Sequence, residues 1–185
     1  MTPRHRIVAP RSTIELDAER ALAHLEQLYR SAVALTGDRG EAEDLVQDVF
    51  EALLRRPRTI RDHASESAYL LTMLRHKYFD ALRSKRRRPQ VELDRVGEMH
   101  ESRTGEAPDA RAEQREVLDA VGLLPLHQRE ALVAVDVAGL SYGEAAAFLG
   151  VPLGTVMSRL HRARGSVVAA VGAPHGPHDR APAPV

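Results

Sequence analysis

The stretch Leu140–Arg164, LSYGEAAAFLGVPLGTVMSRLHRAR, decides how the chain folds. Ser141 followed by Glu144 makes a capping box, in which the hydroxyl and the carboxylate each satisfy one unpaired N–H at a helix start. Gly150 can take the positive φ that stops that helix, which bounds it to about residues 142–149. Pro152 has a fixed φ and no N–H, which suits the first position of a second helix and leaves Gly150-Val151 as a tight joint. A short helix, a glycine joint and a second helix form a helix-turn-helix pattern.

In the second helix Val156, Leu160, Ala163 and Val167 recur at helical spacing and share one buried face. Thr155, Ser158, Arg159 and Arg162 form the other face, with His161 and Arg164 on a second flank. Hydroxyls and guanidinium groups donate to phosphate oxygens and to base edges in a major groove. A solvated helix packed in a bundle can carry the same residues, so this stretch alone leaves both readings open.

The composition points the same way. Among 185 residues there are three Phe, four Tyr and no Trp, so the cores must be built from Leu, Val and Ala on helices, and there is little strand signal. With no Cys, the chain has no disulfide or thiolate metal site of its own. MTPRHRIVAPRST has no signal-peptide core, and no apolar run of about eighteen residues follows. A soluble cytoplasmic protein without membrane insertion is expected. The 26 basic and 26 acidic residues balance, yet they are segregated along the chain into basic and acidic patches.

Taken in order, residues 1–17 read as a flexible arm without an assigned role. From Ala18 to Leu35 the residues Leu22, Leu25, Leu28, Tyr29 and Ala32 follow helical spacing, and Gly37 closes the segment. The acid-rich run Asp38–Glu43 starts a second helix that reaches about Arg55. Leu45, Val46, Val49, Phe50, Leu53 and Leu54 are expected on its buried face, with Asp44, Gln47, Asp48 and Glu51 opposite. That acidic face is either plain solvation or a docking surface for a basic partner. After Pro57, the stretch RTIRDHASES (residues 58–67) reads as a polar loop long enough to carry function. A third helix over about residues 68–86 buries Leu71, Leu74, Tyr78 and Leu82 and carries Arg75, His76, Lys77, Arg83, Lys85, Arg86, Arg87 and Arg88, a density typical of a phosphate-tracking surface.

Pro89 ends that helix, and residues 90–112 form a linker poor in core residues. A helix over Glu113–Val121 and another from Pro125 to about Val137 precede the helix-turn-helix. The expected domains are thus residues 18–89 and 113–171, with a disordered Pro-rich tail over 172–185 whose His175 and His178 read as plain tail residues. The fold class is all-α, two small helical domains on a flexible linker. No phosphate-binding glycine loop, nucleophile elbow or HExxH occurs, so no catalytic residue, metal site or cofactor is expected.

Three stretches, LTGDRGEAEDLVQDVFEALLRR, SAYLLTMLRHKYFDALRSKRRR and LLPLHQREALVAVDVAGLSYGEAAAFLGVPLGTVMSRLHRAR, closely resemble, in this order, bacterial sigma factors of the sigma-70 family. The short two-domain form resembles the extracytoplasmic function (ECF) group, and the likeness covers about residues 22–171. The resemblance implies that the chain binds core RNA polymerase, through its β′ and β subunits, and promoter DNA, with an anti-sigma factor as a further partner. It implies that Asp44, Leu45, Gln47, Asp48, Phe50 and Glu51 dock on the β′ clamp helices. It further implies that Arg58, Arg61, His63, Tyr69, Arg75, His76, Lys77, Arg83, Lys85 and Arg86 capture the nontemplate strand of the minus-10 element. Thr155, Ser158, Arg159, His161, Arg162 and Arg164 would then read the minus-35 element. The chain departs from the family where Tyr69 stands at a common Trp position and Met157 at a common Lys or Arg position. A helix-turn-helix regulator that binds duplex DNA without polymerase is the leading alternative, and it needs neither the acidic Asp44–Glu51 face nor the basic third helix; a helical adaptor is the third, marked by a salt-insensitive lack of DNA binding with polymerase binding also absent.

Overall fold

A computed structural model of the chain describes residues 13–61, 66–87 and 108–172. Strand β1 (Thr13–Leu16) leads into a short helix α1 (Ala18–Ala21), a 3-10 turn (Leu22–His24) and helix α2 (Leu25–Thr36). Helix α3 (Arg39–Arg55), strand β2 (Arg58–Arg61) and helix α4 (Glu66–Arg87) complete the N-terminal half. The C-terminal half is α5 (Pro108–Gly122), α6 (Leu126–Leu132) continued by a π-helical turn (Val133–Val137), α7 (Tyr142–Leu149) and α8 (Leu153–Val171). Residues 1–12 of the expected arm, most of the expected linker and the expected tail after Gly172 lie outside the described residues, as do His63 and Arg88.

Local chemistry sets the helix ends. Gly37, at φ 75°, terminates α2, and Asp38 then caps α3 by accepting from the Glu41 N–H at 2.8 Å. The capping box is present: the Glu144 N–H donates to Ser141 Oγ at 3.3 Å and the Ser141 N–H donates to Glu144 Oε2 at 2.9 Å. Gly150 ends α7 at φ 65°, with the Gly150 and Val151 N–H groups returning to the Ala147 and Ala146 carbonyls. Pro152 stands one residue before the helix it introduces rather than inside its first turn.

The all-α class holds with a small addition. β1 and β2 pair antiparallel, Ile14 opposite Ile60 and Leu16 opposite Arg58, where the sequence suggested an arm and a loop. Leu28, Leu35, Val49, Leu53, Leu70, Leu71 and Leu74 fill the N-terminal core, and Val133, Leu140, Val156, Leu160 and Ala163 fill the C-terminal one. Burying each such Leu or Val side chain stabilises the fold by about 1.5–3 kcal/mol. Three expected core positions face out instead: Leu22 and Leu25 are turned away by the 3-10 turn, and Leu54 is 73 % exposed. Leu53 takes the buried seat, and Leu54 lies about 100° further round the helix.

The two halves meet, with α2 lying against α5, α6 and the π-helical turn. The Gln27 side chain donates to the Ala138 carbonyl at 2.5 Å. Arg129 donates to the Leu35 carbonyl at 2.8 Å, to the Leu124 carbonyl at 3.3 Å and to the Gly122 carbonyl, so one cation serves the C-terminal ends of α2 and α5. Arg75 of α4 donates to Glu130 of α6 at 2.5 Å, and its guanidinium lies 5.0 Å from the Phe79 ring centre and 5.6 Å from that of Phe148.

Candidate nucleic-acid interface

Amphipathicity builds the acidic face of α3. With Leu45, Val46, Val49 and Leu53 committed to the core, Asp44, Gln47 and Asp48 are left exposed and Glu51 half-buried. Leu45 is buried and Phe50 packs against the core, so these two of the six sequence-derived docking residues support the face from beneath. A groove of about 380 Å³ runs between this face and α4. Across it Lys77 Nζ approaches Asp48 at 3.6 Å and Lys85 Nζ approaches Glu41 at 2.5 Å. Glu51 accepts from Arg55 at 2.7 Å and from Gln47 at 3.2 Å. Asp44 has no ion pair among the described residues and is the charge most open to a partner.

The basic residues of α4 divide by environment. His76 is exposed and Tyr69 half-buried. Arg83 pairs with Asp80 at 2.8 Å on the surface, where ion pairs contribute little and exchange readily for phosphate. The same holds for Lys77 and Lys85. Arg75 differs, because its partner Glu130 is only 8 % exposed. Arg86 lies within α4, but its side chain is outside the described residues.

At the start of the expected strand-capture segment, Arg58 is half-buried with its Nε lacking a hydrogen-bond partner among the described residues. Arg61 closes β2 opposite Thr13. At the far end Glu66 accepts from Arg20 Nε at 2.7 Å and lies 3.2 Å from His24 Nε2, while the Ser67 hydroxyl is 3.2 Å from His24 Nδ1. Burial alone would push the Glu66 carboxyl up, but the hydrogen bonds and charges of Arg20 and His24 outweigh it and hold the group below its usual 4.5.

On α8 the expected face forms. Val156, Leu160 and Ala163 are buried; Arg162 and His161 are exposed, and Thr155, Ser158 and Arg159 are half-exposed beside them. The Ser158 hydroxyl donates to the Thr155 carbonyl at 3.0 Å, so it faces outward as an acceptor. Arg164 is engaged elsewhere, donating to both Asp136 oxygens at 2.9 and 2.5 Å. Those hydrogen bonds push its pKa further up. The contact fixes α8 against the π-helical turn.

Sequence reasoning missed Arg20, His24, Arg129 and Glu130, whose roles depend on partners far away in the chain. Among the described residues no group of His, Cys, Asp and Glu could hold a metal, and no helix is long and apolar enough to cross a membrane.

A family model for sigma-70 region 2 matches residues 21–88, and one for sigma-70 region 4 matches residues 114–167. The chain is 33 % identical over 148 residues to the ECF RNA polymerase sigma factor EcfG of Rhodopseudomonas palustris, covering 80 % of this chain and 81 % of that one. It is 34 % identical over 149 residues to the ECF RNA polymerase sigma factor SigM of Mycobacterium tuberculosis, covering 80 % and 74 %. Its structure is similar to that of the sigma factor RpoE in complex with the anti-sigma factor NepR from Bartonella quintana, with TM-score 0.65, 25 % identity and coverage of 85 % and 97 %. It is also similar to CnrH in complex with the cytosolic domain of CnrY, with TM-score 0.58, 25 % identity and coverage of 85 % and 88 %.

Proposed function

Because the chain belongs to the sigma-70 family, in its ECF group of RNA polymerase sigma factors, we propose that its work as the promoter-recognition subunit of the polymerase is divided among three surfaces. Asp44, Gln47, Asp48 and Glu51 dock on a basic surface of core RNA polymerase, with Leu45 and Phe50 holding that face of α3 in place. Arg58, Arg61, His63 and Tyr69, with the basic residues of α4, take the unpaired strand of the downstream promoter element. Thr155, Ser158, Arg159, His161 and Arg162 read the upstream element from the major groove, and Arg164 orients their helix through Asp136.

The observation that carries this reading is the match of both region models, in order, to the two halves of one chain. A duplex-binding regulator without polymerase needs no region 2, so that alternative is not favoured. The three surfaces suit their ligands chemically. The acidic face calls for a cationic partner, the α4 cations exchange readily from surface acids to phosphates, and α8 offers guanidinium groups to base edges. The chain itself supplies positioning and charge rather than covalent chemistry, and it works in the cytoplasm as a polymerase subunit. An anti-sigma factor is a further partner we propose, because the two structural neighbours above are each in complex with a second protein, NepR being an anti-sigma factor.

Reconstitution with bacterial core RNA polymerase, followed by transcription from genomic fragments, tests the reading. Initiation at a discrete set of start sites, dependent on the added chain, is the expected result. Duplex binding by the chain without any polymerase association would overturn it.

A further inference from the structure

We propose that Leu153 and Met157 form an apolar edge of α8 that reads the methyl groups of thymines in the upstream promoter element. The inference rests on the reading of α8 as the helix that enters the major groove there, and it adds a base preference to that reading.

Leu153 is 48 % exposed and Met157 is 49 % exposed. Four residues apart on a helix, their side chains stand about 40° from each other and share one stripe. The core-facing side of α8 is Val156, Leu160 and Ala163, and the stripe lies outside it. One exposed apolar side chain is ordinary on a protein surface. This pair is one turn apart at the leading end of the helix, and exposed Gly154 joins it to Ser158, Arg162 and Thr155 on the outward face. Gly154 has a negative φ, and a Cβ there would meet nothing within 4 Å, so neither backbone nor packing calls for a glycine. Lacking a side chain, it leaves the helix surface low beside Met157, where a groove edge can come close.

The occupant follows from the chemistry of the surface. Leu153–Val171 carries no Asp or Glu, and Arg159, His161 and Arg162 lie outside its core-facing side, which suits a polyanionic duplex. Base-pair edges in the major groove present donors and acceptors and one apolar group, the C5-methyl of thymine. Leu offers no hydrogen bond and the Met thioether only a weak acceptor, so neither gains from a phosphate or from the edges of guanine or cytosine. Against a thymine methyl, both surfaces leave water together, and the unbranched Met side chain adjusts to the methyl's position.

The test uses the full chain assembled with core polymerase. An upstream duplex is selected from a pool randomised at that element, and each thymine in it is then replaced in turn by deoxyuridine, which keeps the base pair and removes only the methyl. The parent should lose about fourfold in affinity for each methyl that the edge covers. Leu153→Ala or Met157→Ala should weaken binding to the thymine duplex by a similar factor, and deoxyuridine at the matching position should then cost nothing further. The inference is overturned if no deoxyuridine position weakens the parent, if parent and both variants lose equally at every position, or if the selected element holds no thymine. It is also overturned if the variants change self-association or core-polymerase affinity instead of duplex affinity, because the stripe is then covered by protein. Arg159→Ala and Arg162→Ala are measured beside them. If neither weakens duplex binding, the reading of α8 itself fails and the inference with it; if they weaken it while the methyl dependence is absent, the inference alone fails. Leu153 and Met157 are each about half exposed, so the variants are expected to fold, and circular dichroism checks this.

Discussion

Replacing Arg75 with Met is expected to destabilise the chain more than replacing Glu130 with Gln. The Glu130 side chain is 8 % exposed, whereas that of Arg75 is 27 % exposed. Removing the guanidinium leaves a carboxylate under α4 without its cation, and breaking a buried pair in this way costs about 3–5 kcal/mol. Removing the carboxylate charge is milder. An amide at position 130 can still accept from Arg75, which keeps part of its hydration and its contacts with Phe79 and Phe148, so the cost is about 1–2 kcal/mol. The double variant Arg75→Met/Glu130→Leu removes both charges and is expected to lie within about 1 kcal/mol of the parent. The single costs sum to about 4–7 kcal/mol, so the double variant should fall at least about 3 kcal/mol short of that sum, a gap measurable by urea unfolding of the four proteins. In a thermal scan Arg75→Met should lower Tm by about 2–4 °C per kcal/mol lost. Because the pair joins α4 to α6, amides of Leu132–Val135 should exchange faster in Arg75→Met before those of α3 do. Equal costs for the two single substitutions, adding simply in the double, would refute the argument. The same variants address strand capture: if Arg75 also holds a phosphate, Glu130→Gln frees it and strengthens single-strand binding, while Arg75→Met weakens it.

Asp44→Lys should weaken core-polymerase binding with little change in unfolding free energy, since Asp44 is exposed and unpaired among the described residues; titration calorimetry with core enzyme checks this. Arg159→Ala or Arg162→Ala should cost about 1–3 kcal/mol for the upstream element if the side chain contacts a base bidentately, and should weaken all sequences alike if it contacts phosphate. Arg129→Met should lower stability by about 2–3 kcal/mol in urea unfolding, because three carbonyls at two helix ends lose a charged donor. Glu66 has a folded pKa below its unfolded value of 4.5, so its contribution is complete above that pH and is lost as the pH falls through the folded value. The stability difference between the parent and Glu66→Gln should accordingly shrink as the pH falls below about 4.5 and through the lower folded value.

The elements legible in the sequence are those specified within a few residues. The Ser141–Glu144 box, the glycines at 37 and 150, and the apolar stripes of α3 and α8 each follow from local spacing, and the structure contains them. The strands were not legible, because TIEL and RTIR are too short for alternation to register and their pairing spans more than forty positions. The stripe through Leu22 and Leu25 misled because one turn of 3-10 helix changes the angle between successive side chains. At the candidate site, the outward faces of α3 and α8 could be derived from what the cores exclude. The fate of individual charges could not: Arg75, Arg83 and Arg164 read alike along the chain, yet one is held by a buried acid, one by a surface acid and one by the π-helical turn.

The contacts that join the halves have an evolutionary signature. Gln27 and Arg129 end on the carbonyls of Ala138, Leu35, Gly122 and Leu124, and a carbonyl is present whatever side chain its residue carries. Such a bond constrains the donor position and leaves the acceptor position free of any matching requirement beyond packing. Among related sequences, positions 27 and 129 should hold their donors while the acceptor positions drift without compensating exchange. Reconstructing this arrangement from paired substitutions would then recover Arg75 with Glu130, where a side chain stands on both sides, and miss the bonds beside it.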